Sequence, residues 1–280
     1  MAMTVSCDGV ALGAAGELYV LLVYTDGEGY NSYIVEEVDI SKDEVETIEH
    51  LDVQLWLTDI WRAGQRTLFA CDENGRIHVR GKRTWTVEST PSRKSLTCLF
   101  GFDEERMFTA GDAGVVFARQ GTAWNALGPS FGRTLFGIGG TAPDDLYACG
   151  EAGLFAHFNG VAWRTIELPT NFRLLGILAL APDDVLVCGA GGVLFRGSGD
   201  DWRPLGPGPS DLFSITRFKG RIFLAGANSG VVELVGDDVV VVRDTFVSYK
   251  VTSNADFLAS AGDISAVRSD LVTWDRMEYE

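Results

Sequence analysis

The sequence predicts an all-β fold, a seven-bladed β-propeller of four-stranded antiparallel blades, and three observations carry that reading. Trp85, Trp124, Trp163 and Trp202 stand 39 residues apart; Gly75, Gly114, Gly153 and Gly192 keep the same step, as do Leu57, Leu96, Leu135 and Leu174. A period of this size, held at independent positions, marks a propeller or a solenoid. Each unit reads as short alternating strands, and no segment shows an apolar stripe of helical period capped at both ends. Four strands in 39 residues make a propeller blade, whereas a solenoid of helix pairs would need helices. Finally, 33 glycines against 8 prolines favour many tight turns over disordered linkers.

One unit shows how the strands follow. The run "RTLFGIGG" (133–140) predicts a first strand that ends at the turn "TAPDD", and "LYACG" a second, closed by a tight turn at Glu151 and Ala152. "GLFAHF" is the third, "NG" its turn, and "VAWRTIEL" supplies the fourth. Clear units begin near Leu57, Leu96, Leu135 and Leu174. A fifth (212–242) keeps Gly226 and Gly230 but puts valines where the tryptophan belongs, and a shorter sixth (246–274) recovers it as Trp274. The residues before 55 supply the seventh, with "ELYVLLVYT" and "YNSYIVEEVDI" as strands. There "DISKDEVETIEHLD" (39–52) fits either a helix or a strand beside a charged turn. Six and eight blades are the alternatives. A chain of 280 residues, 46% of them apolar, suits a single propeller domain over 1–280, closed by pairing between its two ends.

The stretch "CGEAGLFAHFNGVAW" (149–163) poses a choice between chemistry and architecture. Its glycines beside an acid could cradle a phosphate, and Cys149 with His157 could begin a metal site. Yet the pattern recurs in every clear blade, and repeated sites of one kind fit turns where positive φ suits glycine. The segments "GEAGLFAHFNGVAW", "GDAGVVFARQGTAW" and "GAGGVLFRGSGDDW" resemble the repeats of photosystem II assembly-factor-like and BNR-type, sialidase-like bacterial propellers over about residues 55–205. The resemblance implies the fold; enzymes, receptors and scaffolds all use it. The Ser and Asp of the sialidase Asp-box are missing, so no sialidase catalytic residue is carried across.

Composition narrows the function. A net charge of −16 argues against nucleic-acid and anionic-membrane partners, since phosphate contacts need Lys and Arg. No metal and no cofactor are expected: the three histidines His50, His78 and His157 are scattered, and the five cysteines form no C-x-x-C pair. Cys71, Cys149 and Cys188 share one repeat position among apolar neighbours, where Cys acts as a small buried hydrophobe. Nucleophile-elbow and Walker motifs are missing, and the recurrent "PDD" reads as a turn. The amino terminus lacks the charged and apolar regions of a secretory signal, and the longest apolar stretch, 174–181, is too short to span a bilayer. A cytoplasmic protein, monomeric apart from its partner, is expected.

Two surfaces qualify as partner sites. Between Glu17 and Asp52 stand eleven acids against the single base Lys42. That run reads as a solvated edge or as a docking surface for a basic protein, with Glu36, Glu37, Asp43 and Glu44 as its candidate residues. The second surface is the face where inter-blade loops meet the middle hairpins. Its candidates are Asp112, Phe131, Arg133, Glu151, Phe172, Arg173 and Asp211, with Arg93, Lys94, Asp72 and Glu73 beside them; Arg and aromatic residues anchor interfaces. The function expected is non-catalytic protein binding, most concretely an acidic immunity or inhibitor protein that blocks a basic toxin or nuclease. A scaffold or assembly factor is the rival within that class, and a carbohydrate-active hydrolase or lyase the rival outside it.

Overall fold

The computed structural model describes residues 4–14, 16–42, 45–64, 67–81, 84–268, 270 and 273–279. Its strands form seven four-stranded antiparallel sheets arranged as a propeller. Blade 1 comprises β1 (Thr4–Leu12), β2 (Leu18–Thr25), β3 (Tyr30–Val38) and β4 (Glu46–Val53); blade 2 comprises β5 (Leu57–Ala63), β6 (Thr67–Asp72), β7 (Arg76–Arg80) and β8 (Trp85–Ser89). Blade 3 holds β9 (Leu96–Gly101), β10 (Met107–Gly111), β11 (Val116–Gln120) and β12 (Ala123–Ala126). Blade 4 holds β13 (Leu135–Ala142), β14 (Asp145–Gly150), β15 (Phe155–Phe158) and β16 (Trp163–Thr165), and blade 5 holds β17 (Leu174–Ala181), β18 (Asp184–Gly189), β19 (Leu194–Ser198) and β20 (Asp201–Pro204). β21 (Ile215–Phe218), β22 (Arg221–Ala225), β23 (Val231–Val235) and β24 (Asp238–Arg243) make blade 6. β25 (Ser248–Ser253), β26 (Leu258–Gly262), β27 (Ser265–Arg268) and β28 (Asp275–Met277) make blade 7. The only helical turns among the described residues are the three-residue pieces Asp112–Gly114, Glu151–Gly153 and Ala190–Gly192. Within 39–52, residues 40 and 41 form a turn and 46–52 belong to the strand β4.

Every blade is contiguous in sequence, so no sheet mixes the two chain ends. The ring closes by face-to-face packing: Leu18, Val20, Leu22 and Val35 of blade 1 bury against Ala259, Ala261 and Val267 of blade 7. The expected pairing between the chain ends is therefore side-chain packing and not a shared sheet. The core lies between the blades, with one apolar cluster at each blade–blade junction. The repeated tryptophans serve these junctions. Trp85 donates to His50 O of blade 1 at 2.9 Å, Trp124 to Glu88 Oε2 of blade 2 at 2.8 Å, and Trp163 to Leu127 O beside blade 3 at 2.6 Å. Trp202 packs edge-on against Phe155 of blade 4, with ring centroids 4.9 Å apart.

The first strands surround the axis, and six of the seven carry an irregularity in the same place. Pairing shifts between Cys7 and Gly9, Leu57 and Asp59, Leu96 and Cys98, Leu135 and Gly137, Leu174 and Gly176, and Ser248 and Lys250. The residue after this bulge faces the neighbouring blade, where space is scarce. A Cβ on Gly137 would sit 2.9 Å from Cys149 Sγ, and one on Gly176 2.9 Å from Cys188 Sγ. The repeat-position cysteines thus fill the gap that these glycines leave.

Candidate protein-binding face

The inter-blade link and the hairpin between the second and third strands meet at one end of the propeller, here the upper face. Backbone hydrogen bonds zip them together: Glu73 N donates to Trp56 O at 3.1 Å, Asp112 N to Ser95 O at 2.9 Å, Glu151 N to Thr134 O at 3.0 Å and Ala190 N to Arg173 O at 2.8 Å. The repeat glycines allow this closeness. Gly153 has φ +72°, and a Cβ there would lie 2.2 Å from Thr170 O. The glycine-rich stretch 149–163 is architecture: its turn holds a link against a hairpin.

The upper face separates its charges. Asp72 is fully buried and accepts from Asn74 N at 2.8 Å, Arg76 N at 3.0 Å and Arg76 Nε at 2.8 Å, and it hydrogen-bonds His78 Nε2 at 3.0 Å. Burial opposes its charge, but these bonds hold its carboxyl below the ordinary value. Glu151 accepts from Thr134 N at 3.1 Å, Asp211 from Gly191 N at 2.7 Å and Asp112 from Thr134 Oγ1 at 3.2 Å. The acids therefore brace the loops. The bases do not: Arg93, Lys94, Arg133 and Arg173 are exposed, and none forms an ion pair among the described residues. Phe172 is 55% exposed and borders a shallow hollow with Pro169, Asn171 and Val193. Phe131 differs; half-buried, it stands edge-on to Trp163 at 5.6 Å and serves packing.

The acids expected to form a docking surface on blade 1 are placed otherwise. Glu36 and Glu37 sit near the lower end of β3. Glu36 is hydrogen-bonded to His50 and stands 3.7 Å from Arg80. Glu37 is only 3% exposed; it accepts from Thr47 Oγ1 at 2.8 Å and from Tyr279 OH at 3.1 Å. Both carboxylates are engaged within the fold, on opposite faces of β3. Asp43 and Glu44 lie outside the described residues.

Sequence reasoning missed a second feature of blade 1. In blade 2 the second and third strands pair no further up than Cys71 with Ile77. The register after the first-strand bulge makes Leu21 and Ile34 the corresponding pair. In blade 1, however, Leu22–Tyr33, Val23–Ser32, Tyr24–Asn31 and Thr25–Tyr30 continue the ladder, so the hairpin rises roughly 10 Å above its counterparts. Beside it lies a hollow of about 990 Å³, bordered by Tyr24, Tyr30, Tyr33, Glu28, Glu49 and Glu73. The three tyrosines in "YTDGEGYNSY" around a D-G-E-G turn were its signal in the sequence.

The axial channel, about 350 Å³, is bordered by first strands of all seven blades. Asp59 is the single carboxylate among its lining residues, and Lys250 Nζ lies 2.7 Å from it. All five cysteines are free and buried, and burial pushes the Cys98 and Cys188 thiols up to about 12. Among the described residues no three His, Cys, Asp or Glu side chains group as a metal site, and no helix is long and apolar enough to cross a membrane.

No protein-family model matches the chain, and no curated protein matches it. Among solved structures it is similar to YCF48 bound to a D1 peptide, with TM-score 0.70 and 12% identity over 94% of this chain and 90% of that one. It is also similar to the computationally designed Ika8 protein, with TM-score 0.65 and 12% identity over 95% of this chain and 84% of that one. At these identities the likeness establishes the propeller fold.

Proposed function

We propose that the chain is a non-catalytic, protein-binding propeller that engages its partner through the upper face. The observation that carries this reading is the contrast within that face. Framework acids and glycines are committed to bracing the loops, while Arg93, Lys94, Arg133 and Arg173 form no ion pair among the described residues and Phe172 is exposed. Arg and aromatic side chains held on rigid loops are the usual anchors of an interface. A structural neighbour, YCF48, carries a bound peptide, which accords with a propeller that receives a protein segment. The axial channel supports the same reading over a two-carboxylate hydrolase: its one carboxylate is neutralised by Lys250, whereas most glycoside hydrolases use two facing carboxyls.

The narrower form is an acidic, cytoplasmic immunity or inhibitor protein against a basic toxin or nuclease. It draws support from the net charge of −16 and from the acid-lined hollow on blade 1. Capture from the native lysate by the wild-type chain and by R133E/R173E tests the general reading. A partner retained by the wild type and lost by the double reversal is the expected result. A partner held equally by both, or lost equally by the lower-face reversal D183K, would exclude the upper face.

A further inference from the structure

We infer that the hollow beside the raised hairpin of blade 1 is a receptor for a lysine or arginine side chain of an extended partner segment. The site wraps the free upper edge of the raised hairpin, and it exists because blade 1 departs from the repeat. On the hairpin's blade 2 face Tyr30, 41% exposed, stacks on Trp56 with ring centroids 5.1 Å apart. On its blade 7 face Tyr24 and Tyr33 meet edge-to-face at 5.3 Å. At the outer edge Tyr30 and Asn31 run past the last residue of β4, Val53, where the chain leaves for blade 2 through Gln54 and Leu55. That leaves a trough between hairpin and link.

Charge selects the occupant. Of the fourteen residues around the hollow four are carboxylates, Asp26, Glu28, Glu49 and Glu73, and none is Lys, Arg or His. Asp26 is held in its charged form by the backbone N–H groups of Glu28 and Gly29, which donate to its Oδ1 at 2.9 and 3.2 Å. Glu73 is oriented by Trp56 N, which donates to its Oε1 at 3.1 Å. Tyrosine faces attract cations through the ring quadrupole, and nearby carboxylates add direct attraction. An anion would meet only repulsion there. The volume exceeds that of one side chain, so the flanking residues of a peptide would run along the tyrosine-lined hairpin edge.

The inference rests on the protein-binding reading for its natural partner, but its test does not. The probes are Nα-acetyl-lysine methylamide, Nα-acetyl-arginine methylamide and the uncharged norleucine analogue, followed by ligand-observed NMR. The two cations are expected to bind in the millimolar range and the norleucine analogue about tenfold more weakly. E28Q/E49Q, which changes two exposed groups without altering shape, should weaken the cations about tenfold and leave norleucine unchanged. Equal binding of norleucine and lysine, cation binding undiminished in E28Q/E49Q, or no binding of either cation would overturn the inference. A native partner captured by a chain that binds no cation probe would sink the groove and leave the upper-face reading intact. Probes that bind while no partner is captured would give the reverse.

Discussion

Lys250 of blade 7 reaches Asp59 of blade 2 at 2.7 Å, across blade 1 and across 191 residues of sequence. Both occupy the position after the first-strand bulge, where blade 1 between them has Gly9 and so presents no side chain. Asp59 is 1% exposed, and its other bonds come from Ile60 N at 3.0 Å and Leu99 N of blade 3 at 2.9 Å. One carboxylate thus joins blades 2, 3 and 7 where the ring begins and ends.

K250M and D59N should each destabilise the protein by about 3 kcal/mol, toward the lower end for breaking a buried pair because Lys250 is partly exposed. The double variant should lose less than the sum, measured by denaturant unfolding. Burial works against the ammonium, but Asp59 outweighs it and raises the Lys250 pKa above the ordinary 10.5. The stabilisation is therefore complete below about pH 10.5 and lost as pH climbs through the higher folded value. In K250M this alkaline loss should be smaller.

At the other end of the scale the buried Asp72 contributes to the acid response. Its folded pKa lies below the ordinary 3.8, so its contribution is present above that pH and lost as pH falls through the folded value. D72N should flatten this acid limb in unfolding measured as a function of pH. D72A strands buried donors and should cost roughly 2–3 kcal/mol at neutral pH.

The thiols should be inert in the folded protein. Burial raises Cys7, Cys98 and Cys188 to about 12, and it raises Cys71 and Cys149 as well, so thiolate is scarce and inaccessible. Alkylation at about pH 8 followed by mass spectrometry should find the native chain unlabelled and the denatured chain labelled at all five cysteines.

Neighbouring substitutions in one turn should act with opposite sign. G153A places a Cβ against Thr170 O in a left-handed backbone and should cost more than about 1–2 kcal/mol. Ala152 already occupies that region at φ 51°, so A152G relieves strain and should be neutral or stabilising by up to about 1 kcal/mol. Thermal unfolding of the two variants side by side checks the pair.

The propeller was legible because repetition amplifies weak local signals. One Gly or one Trp says little, but four of each at a common step fix the turns and the inter-blade packing. Blades 6 and 7 were readable despite lost residues, since Gly226, Gly230 and Trp274 keep their places. Blade 1 was readable only in its two middle strands, expected at 17–25 and 30–40 and found as β2 and β3, because its raised hairpin has no copy elsewhere to align with, and its first strand, β1, lies within the chain's unpatterned start. Acid content there was visible, but which carboxylates face solvent depends on register: Glu37 turns inward beneath Thr47 and Tyr279, whereas Glu28 and Glu49 stay outside. The clasp left a trace that was not read, a charged Asp59 and Lys250 at a position that the other blades fill with glycine, cysteine or, at Ser214, serine.

The most direct measurement is hydrogen exchange on the captured complex against the free chain. The account predicts added protection in 26–31, 91–95, 130–134 and 170–173, the raised hairpin and the upper-face links. Protection confined to the lower-face turns at 143–145 and 182–184, with those segments unchanged, would contradict it.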